Sequence, residues 1–123
     1  MPQSSKKTIV LGASPNPDRY AYLAVQRLTK HGHEAIPVGI RNGSIDGITI
    51  QQPPFQSDNV DTVTLYLNPE RQIQYYNYIF NLHPKRIIFN PGTENPELDA
   101  LANEKGIETV EGCTLVMLGN GLY

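Results

Sequence analysis

Thr8-Ile9-Val10-Leu11-Gly12-Ala13-Ser14 is a short apolar run that stops on a glycine, followed by a small polar loop. Such a run has the pattern of a strand buried on both faces. Residues 18–31 then place Ala21, Ala24, Val25 and Leu28 at helical spacing, with Asp18 as the expected N-cap and Gly32 as the stop. Strand, glycine loop and helix make a βα unit, and the pattern recurs along the chain. Ala35-Ile36-Pro37-Val38 reads as a second strand, residues 60–67 as a third, Arg86-Ile87-Ile88-Phe89 as a fourth and residues 107–110 as a last one. Pro69 and Glu70 open a helix with Ile73, Tyr76, Ile79 and Phe80 on its apolar face, ending before Pro84. Asn95-Pro96-Glu97 opens another, with Leu98, Leu101 and Ala102 inward and Gly106 at its end. Residues 39–57 read as an ordered loop around a short strand at Ile48-Thr49-Ile50, and residues 113–118 as a terminal turn or helix. Strands alternating with helices imply right-handed crossovers and a mostly parallel sheet of about five strands between helices. The expected class is α/β, a Rossmann-like three-layer sandwich.

At 123 residues the chain predicts a single domain over residues 1–123. A hydrophobic fraction of 39% with 18% charged residues points neither to disorder nor to a membrane span. A net charge of −2 without a block of like charges argues against nucleic acid or an anionic membrane as partner, so any bound anion needs a local site. The apolar run before Gly12 is too short for a signal-peptide core, and the lone Cys113 can form no internal disulfide, so the expected location is cytoplasmic.

In an open parallel sheet, ligands bind beyond the C-terminal strand ends, where strand order reverses. Gly12 would let a phosphate approach the backbone, Ser14 could donate its hydroxyl, and the next helix would aim amides at the anion, with Arg19 in its first turn. Only one glycine of the G-x-G-x-x-G fingerprint is present. After the second strand, where an NAD-binding domain carries an acidic residue, Gly39-Ile40-Arg41 supplies an arginine. That suits a phosphorylated ribose, as in coenzyme A or, alternatively, NADP.

These loops, with Ile36-Pro37-Val38, Asn90-Pro91-Gly92-Thr93-Glu94-Asn95 and Cys113, give a resemblance over nearly the whole chain. The chain resembles the small stand-alone CoA-binding domain proteins, which are similar to the N-terminal domain of the succinyl-CoA synthetase α subunit. The resemblance implies that Gly12, Ala13, Ser14 and Arg19 hold the CoA pyrophosphate, with Tyr20 joining the cofactor-binding set. It implies that Val38, Gly39 and Arg41 flank the adenine and 3′-phosphate. Tyr66 and Leu67, with Asn90, Pro91, Gly92, Glu94 and Asn95, would border the pantetheine path. The chain departs from the family at Pro37-Val38-Gly39-Ile40, where many members read P-V-N-P, and at residues 89–92, where many carry W-x-Q-x-G.

No Ser-His-Asp order, carboxylate pair or metal-ligand spacing stands out. His31, His33 and His83 read as helix-end residues complementing the dipole. The expected role is a non-catalytic CoA module, serving as carrier, sensor or subunit. The alternative is a small NADP-dependent or other nucleotide-using enzyme, for which Tyr20, Tyr66 and Glu94 are the polar candidates. Cys113, after the last strand, could lie near a bound thiol. Tyr75, Tyr76 and Tyr78 fit either the core edge or a contact with a protein partner or a second copy.

Overall fold

The computed structural model describes residues 5–123, so the N-terminal reading falls in part outside the described residues. Its elements are β1 (Thr8–Leu11), α1 (Tyr20–Lys30), β2 (Ala35–Val38), β3 (Ser44–Ile45), β4 (Ile48–Thr49), β5 (Thr62–Leu65), α2 (Pro69–Gln72), a 3₁₀ turn (Ile73–Tyr75), α3 (Tyr76–Asn81), β6 (Arg86–Phe89), α4 (Pro96–Glu104), β7 (Glu108–Glu111) and α5 (Thr114–Gly119). Five strands form one parallel sheet in the order β2-β1-β5-β6-β7, a Rossmann-like α/β fold. The chain leaves β1 for β2 on one side and returns to β5 on the other, so strand order reverses between β1 and β5. Connections departing in opposite directions open a crevice above those two strands.

Alternation of side chains along each strand builds two cores. Ile9, Leu11, Val63, Leu65, Ile87 and Phe89 pack against Ile79, Leu98 and Ala102 of α3 and α4. Val10 and Ile88 join Ala21, Ala24, Val25 and Leu28 of α1 on the opposite face, with Leu118 of α5. A strand covered on both faces has no polar face, which is why Thr8-Ile9-Val10-Leu11 reads as a continuous run. In β5 the positions on the α1 side are Thr62 and Thr64, both fully buried. Their hydroxyls are partnered: Thr64 Oγ1 lies 2.8 Å from Thr114 Oγ1, and Thr62 Oγ1 accepts from Arg86 Nε at 3.0 Å. The outer strand β7 carries exposed Glu108 and Glu111 at its two ends.

Several boundaries differ from expectation. Helix α1 starts at Tyr20 with Arg19 as N-cap, because the Asp18 amide donates to Asn16 Oδ1 at 3.0 Å in a local turn that keeps Asp18 outside the helix. The helix after Pro69 breaks into α2, the 3₁₀ turn and α3 over the β-branched and aromatic stretch Ile73-Gln74-Tyr75-Tyr76, whose side chains favour helix weakly. Ile73, expected inside, is 60% exposed. Tyr78 is buried and donates to the Phe55 carbonyl at 2.7 Å, while Tyr76 donates to Glu97 Oε1 at 3.0 Å, so these tyrosines bond within the chain. The short strand near Ile48 pairs with Ser44–Ile45 as a hairpin turning on Asp46 and Gly47, both at positive φ.

His33 is not a helix-end cation. It is 4% exposed, its Nδ1 accepts from the Lys6 amide at 2.9 Å, and its ring lies 4.9 Å from that of Tyr123. Burial, helped by the charges of Lys6, His31 and Arg86, holds its pKa below 6.5. The unfolded chain therefore binds a proton at a pH where folded His33 stays neutral, and stability rises with pH through that window. Stability should thus fall as pH drops from about 7 toward about 5.5, and His33→Gln should flatten that slope in denaturant titrations. A second expectation concerns Gly39, where a Cβ would lie 2.3 Å from the Ala13 carbonyl oxygen. Gly39→Ala should lower unfolding free energy by about 1–3 kcal/mol in urea titrations. Gly119→Ala, with open space around it, should change it by less than about 0.5 kcal/mol.

Candidate functional site

The crevice at the strand reversal is a cleft of about 560 Å³. One wall is the loop after β1, where Gly12 adopts φ +99°. A Cβ there would sit 3.0 Å from the Tyr66 carbonyl carbon and from Leu67 Cγ. The glycine thus makes room for the end of β5, a different task from the expected approach of a phosphate. The amides of Gly12 and Ala13 are also committed, both donating to the Val38 carbonyl at 2.9 and 3.0 Å. Ser14, nearly buried, accepts from the Asn16 amide at 3.1 Å, which leaves its hydroxyl proton as a donor.

Arg19, Tyr20 and Ala21 border the cleft at the start of α1. This helix end has no side-chain cap and no acidic residue in its first turn. By contrast, Asn68 and Asn95 cap α2 and α4. Uncapped first-turn amides and the helix dipole favour an anion there. Arg41 and Arg71 join Arg19 on the lining, which contains no aspartate, glutamate or lysine. An acidic chain thus presents a purely cationic cleft. Arg71 and Gln74 also line the cleft, although the expected site residues after this strand ended at Leu67. The signal was Pro69, which fixes a helix start and so puts Arg71 in the first turn beside the strand end. Tyr20 and Ile40, each 71% exposed, form an apolar rim.

Of the candidate residues, Gly12, Ala13, Ser14, Arg19, Tyr20, Gly39, Arg41, Tyr66, Leu67, Pro91 and Gly92 line the cleft. Val38, Asn90, Glu94 and Asn95 do not, and each has a structural task. Val38 is fully buried and its carbonyl holds the β1 loop. Asn90 donates to Thr64 Oγ1 at 2.6 Å and the Leu65 carbonyl at 2.8 Å, and accepts from the Thr114 amide at 2.9 Å. Glu94 Oε1 accepts from the Gly92 amide at 2.9 Å. Asn95 accepts from the Leu98 amide at 3.1 Å and donates to Gln72 Oε1 at 2.9 Å.

Cys113 occupies the N-cap position of α5 without a side-chain capping bond, half-buried and outside the lining. The Tyr66 hydroxyl is enclosed beside Thr64 and Thr114 without a hydrogen bond, and burial, with Cys113 nearby, pushes its pKa well above 10. It therefore stays a neutral phenol. Among the described residues no group of three or more His, Cys, Asp or Glu could hold a metal. None of their helices is long and apolar enough to cross a membrane.

Fold and cleft define a small Rossmann-like α/β protein with its crevice at the strand switch. The chain belongs to the CoA binding domain family, matched over residues 6–119. Among solved structures, an uncharacterized protein is 56% identical, covering 98% of this chain and 100% of its own, with TM-score 0.96. A hypothetical protein from Pyrococcus horikoshii OT3 is 26% identical over 96% of this chain and 84% of its own, with TM-score 0.83. A conserved hypothetical protein from Pyrococcus furiosus is 25% identical over 90% of this chain and 97% of its own, with TM-score 0.79. Comparison with curated proteins gave no match.

Asn90→Ala would leave the Thr114 amide and the Leu65 carbonyl without these partners inside the fold. It should cost about 2–4 kcal/mol of stability in chemical denaturation.

Proposed function

We propose that the cleft binds coenzyme A or an acyl-CoA and that the protein is a binding module without a chemical step of its own. The observation that carries this is the lining: three arginines and an uncapped helix start at the strand reversal, with no carboxylate among them. CoA concentrates its charge in a pyrophosphate and a 3′-phosphate. In this reading Arg19, the Ser14 hydroxyl and the start of α1 take the pyrophosphate. Gly39, Ile40 and Arg41 take the adenosine and its 3′-phosphate, with the exposed Tyr20 and Ile40 offering apolar surface to the base. Tyr66 and Leu67, with Pro91 and Gly92, border the pantetheine. The lining also lacks the histidine, lysine, cysteine or carboxylate that would activate the Ser14 hydroxyl as a nucleophile.

Calorimetric titration with CoA, dephospho-CoA and NADP tests the reading. CoA should bind most tightly, with affinity falling as salt is raised. Arg19→Gln should weaken CoA and dephospho-CoA alike by about five- to tenfold. Arg41→Gln should weaken CoA by a similar factor and erase its advantage over dephospho-CoA. Binding of NADP without binding of CoA would overturn the proposal in favour of a nucleotide-using enzyme.

A further inference from the structure

The dipeptide Asn-Gly occurs twice in the chain, at Asn42-Gly43 and at Asn120-Gly121. Here the glycine nitrogen can reach the asparagine side-chain carbonyl, because no Cβ on the second residue stands in the way. The two copies meet different surroundings. Asn120 ends α5: its amide donates to the Val116 carbonyl at 3.0 Å, and its Oδ1 accepts from the Leu122 amide at 3.2 Å. The Leu122 amide also donates to the Met117 carbonyl at 2.9 Å, so the peptide of Gly121 is pinned from both sides.

Asn42 lies in the loop that follows β2. Residues 40–44 are all exposed, and among the described residues no amide from Ile40 to Gly43 donates a hydrogen bond within the chain. The peptide between Asn42 and Gly43 is therefore free to turn. A restraint falls instead on the side chain, where Asn42 Oδ1 accepts from Gln52 Nε2 at 2.8 Å. That bond puts a donor on the oxygen that becomes negative when a nucleophile adds to Cγ.

The place matters as much as the chemistry. Asn42 follows Arg41, which lines the cleft. Gly43 passes so near the β1 loop that a Cβ on it would lie 2.7 Å from Pro15 Cβ, next to Ser14.

We propose that Asn42 is a self-modification site whose product weakens the cleft for phosphate. The Gly43 nitrogen gives its proton to solvent and bonds to Asn42 Cγ, while Nδ2 takes up a proton and leaves as ammonia. Water then opens the succinimide ring at either carbonyl, giving aspartate or isoaspartate. The sum consumes one water and releases one ammonia, and no oxidant or reductant takes part. The new carboxylate sits one residue from Arg41, where it competes with a ligand's phosphate, and isoaspartate adds a backbone carbon beside Pro15. The effect on the cleft rests on the CoA reading above; the chemistry at Asn42 does not.

Incubation of the full chain in warm, mildly alkaline buffer tests the site, read by peptide mass spectrometry and by labelling with an isoaspartyl methyltransferase. Acid, part of it isoaspartate, should accumulate at Asn42 at least about fivefold faster than at Asn120. Gln52→Leu should slow that accumulation about three- to tenfold. The aged chain and Asn42→Asp should bind CoA about three- to fivefold more weakly than the fresh chain, with dephospho-CoA nearly unchanged. Three results would each overturn the proposal whatever CoA does: Asn42 changing no faster than Asn120, aspartate without isoaspartate, or no slowing in Gln52→Leu. Undiminished CoA affinity in Asn42→Asp would overturn the link to the cleft and leave the CoA reading standing. Failure of the fresh chain to bind CoA would overturn that reading and the effect on the cleft, while the mass spectra still decide the chemistry.

Discussion

One carbonyl organises the site. Val38, at the end of β2, accepts from the amides of both Gly12 and Ala13, while Gly39 passes so close to Ala13 that a side chain has no room. The loop after β1 is thereby tied to the neighbouring strand, and Ser14 and the start of α1 inherit their positions from that tie. A loop that relied on a ligand for its shape would lose conformational freedom on binding; this one is ordered by the chain's own hydrogen bonds. The amides so used are unavailable to an anion, which shifts the expected recognition onto the helix start, the Ser14 hydroxyl and the arginines.

A second constraint lies one layer down. Thr64, Asn90 and Thr114 form a buried polar group that joins β5, the end of β6 and the start of α5. Because each polar atom there needs its partner, the network fixes the register of strand ends rather than merely filling space. Gln72 does the same between α2 and the loops after β5 and β6. Two buried amide side chains therefore set the far wall of the cleft, and neither contacts it as a ligand-binding group would.

The fold was legible because its strands are buried on both faces and its helices are punctuated by glycine and proline. Thr8-Ile9-Val10-Leu11 and Arg86-Ile87-Ile88-Phe89 match their strands to the residue. Of the residues that follow the strands, Gly12, Ser14, Arg19, Gly39 and Arg41 do meet in one cleft. What the sequence concealed was the direction of side chains within loops. Asn90 and Asn95 carry the same amide whether they face a ligand or cap a helix, and only the packed structure distinguishes the two. Arg71 was hidden for the opposite reason: it lies inside a helix, one turn past the end of β5. His33 beside a helix stop looked like a dipole partner, yet the chain folds it under Tyr123.

The outer edge of the sheet carries its own consequence. Strand β7 leaves one row of backbone groups without a neighbouring strand in the sheet, and unpaired edges invite another sheet to add on. Glu108 and Glu111 bracket that row and, three residues apart, put a carboxylate on each face of the edge, so a strand adding there would meet charge on either side.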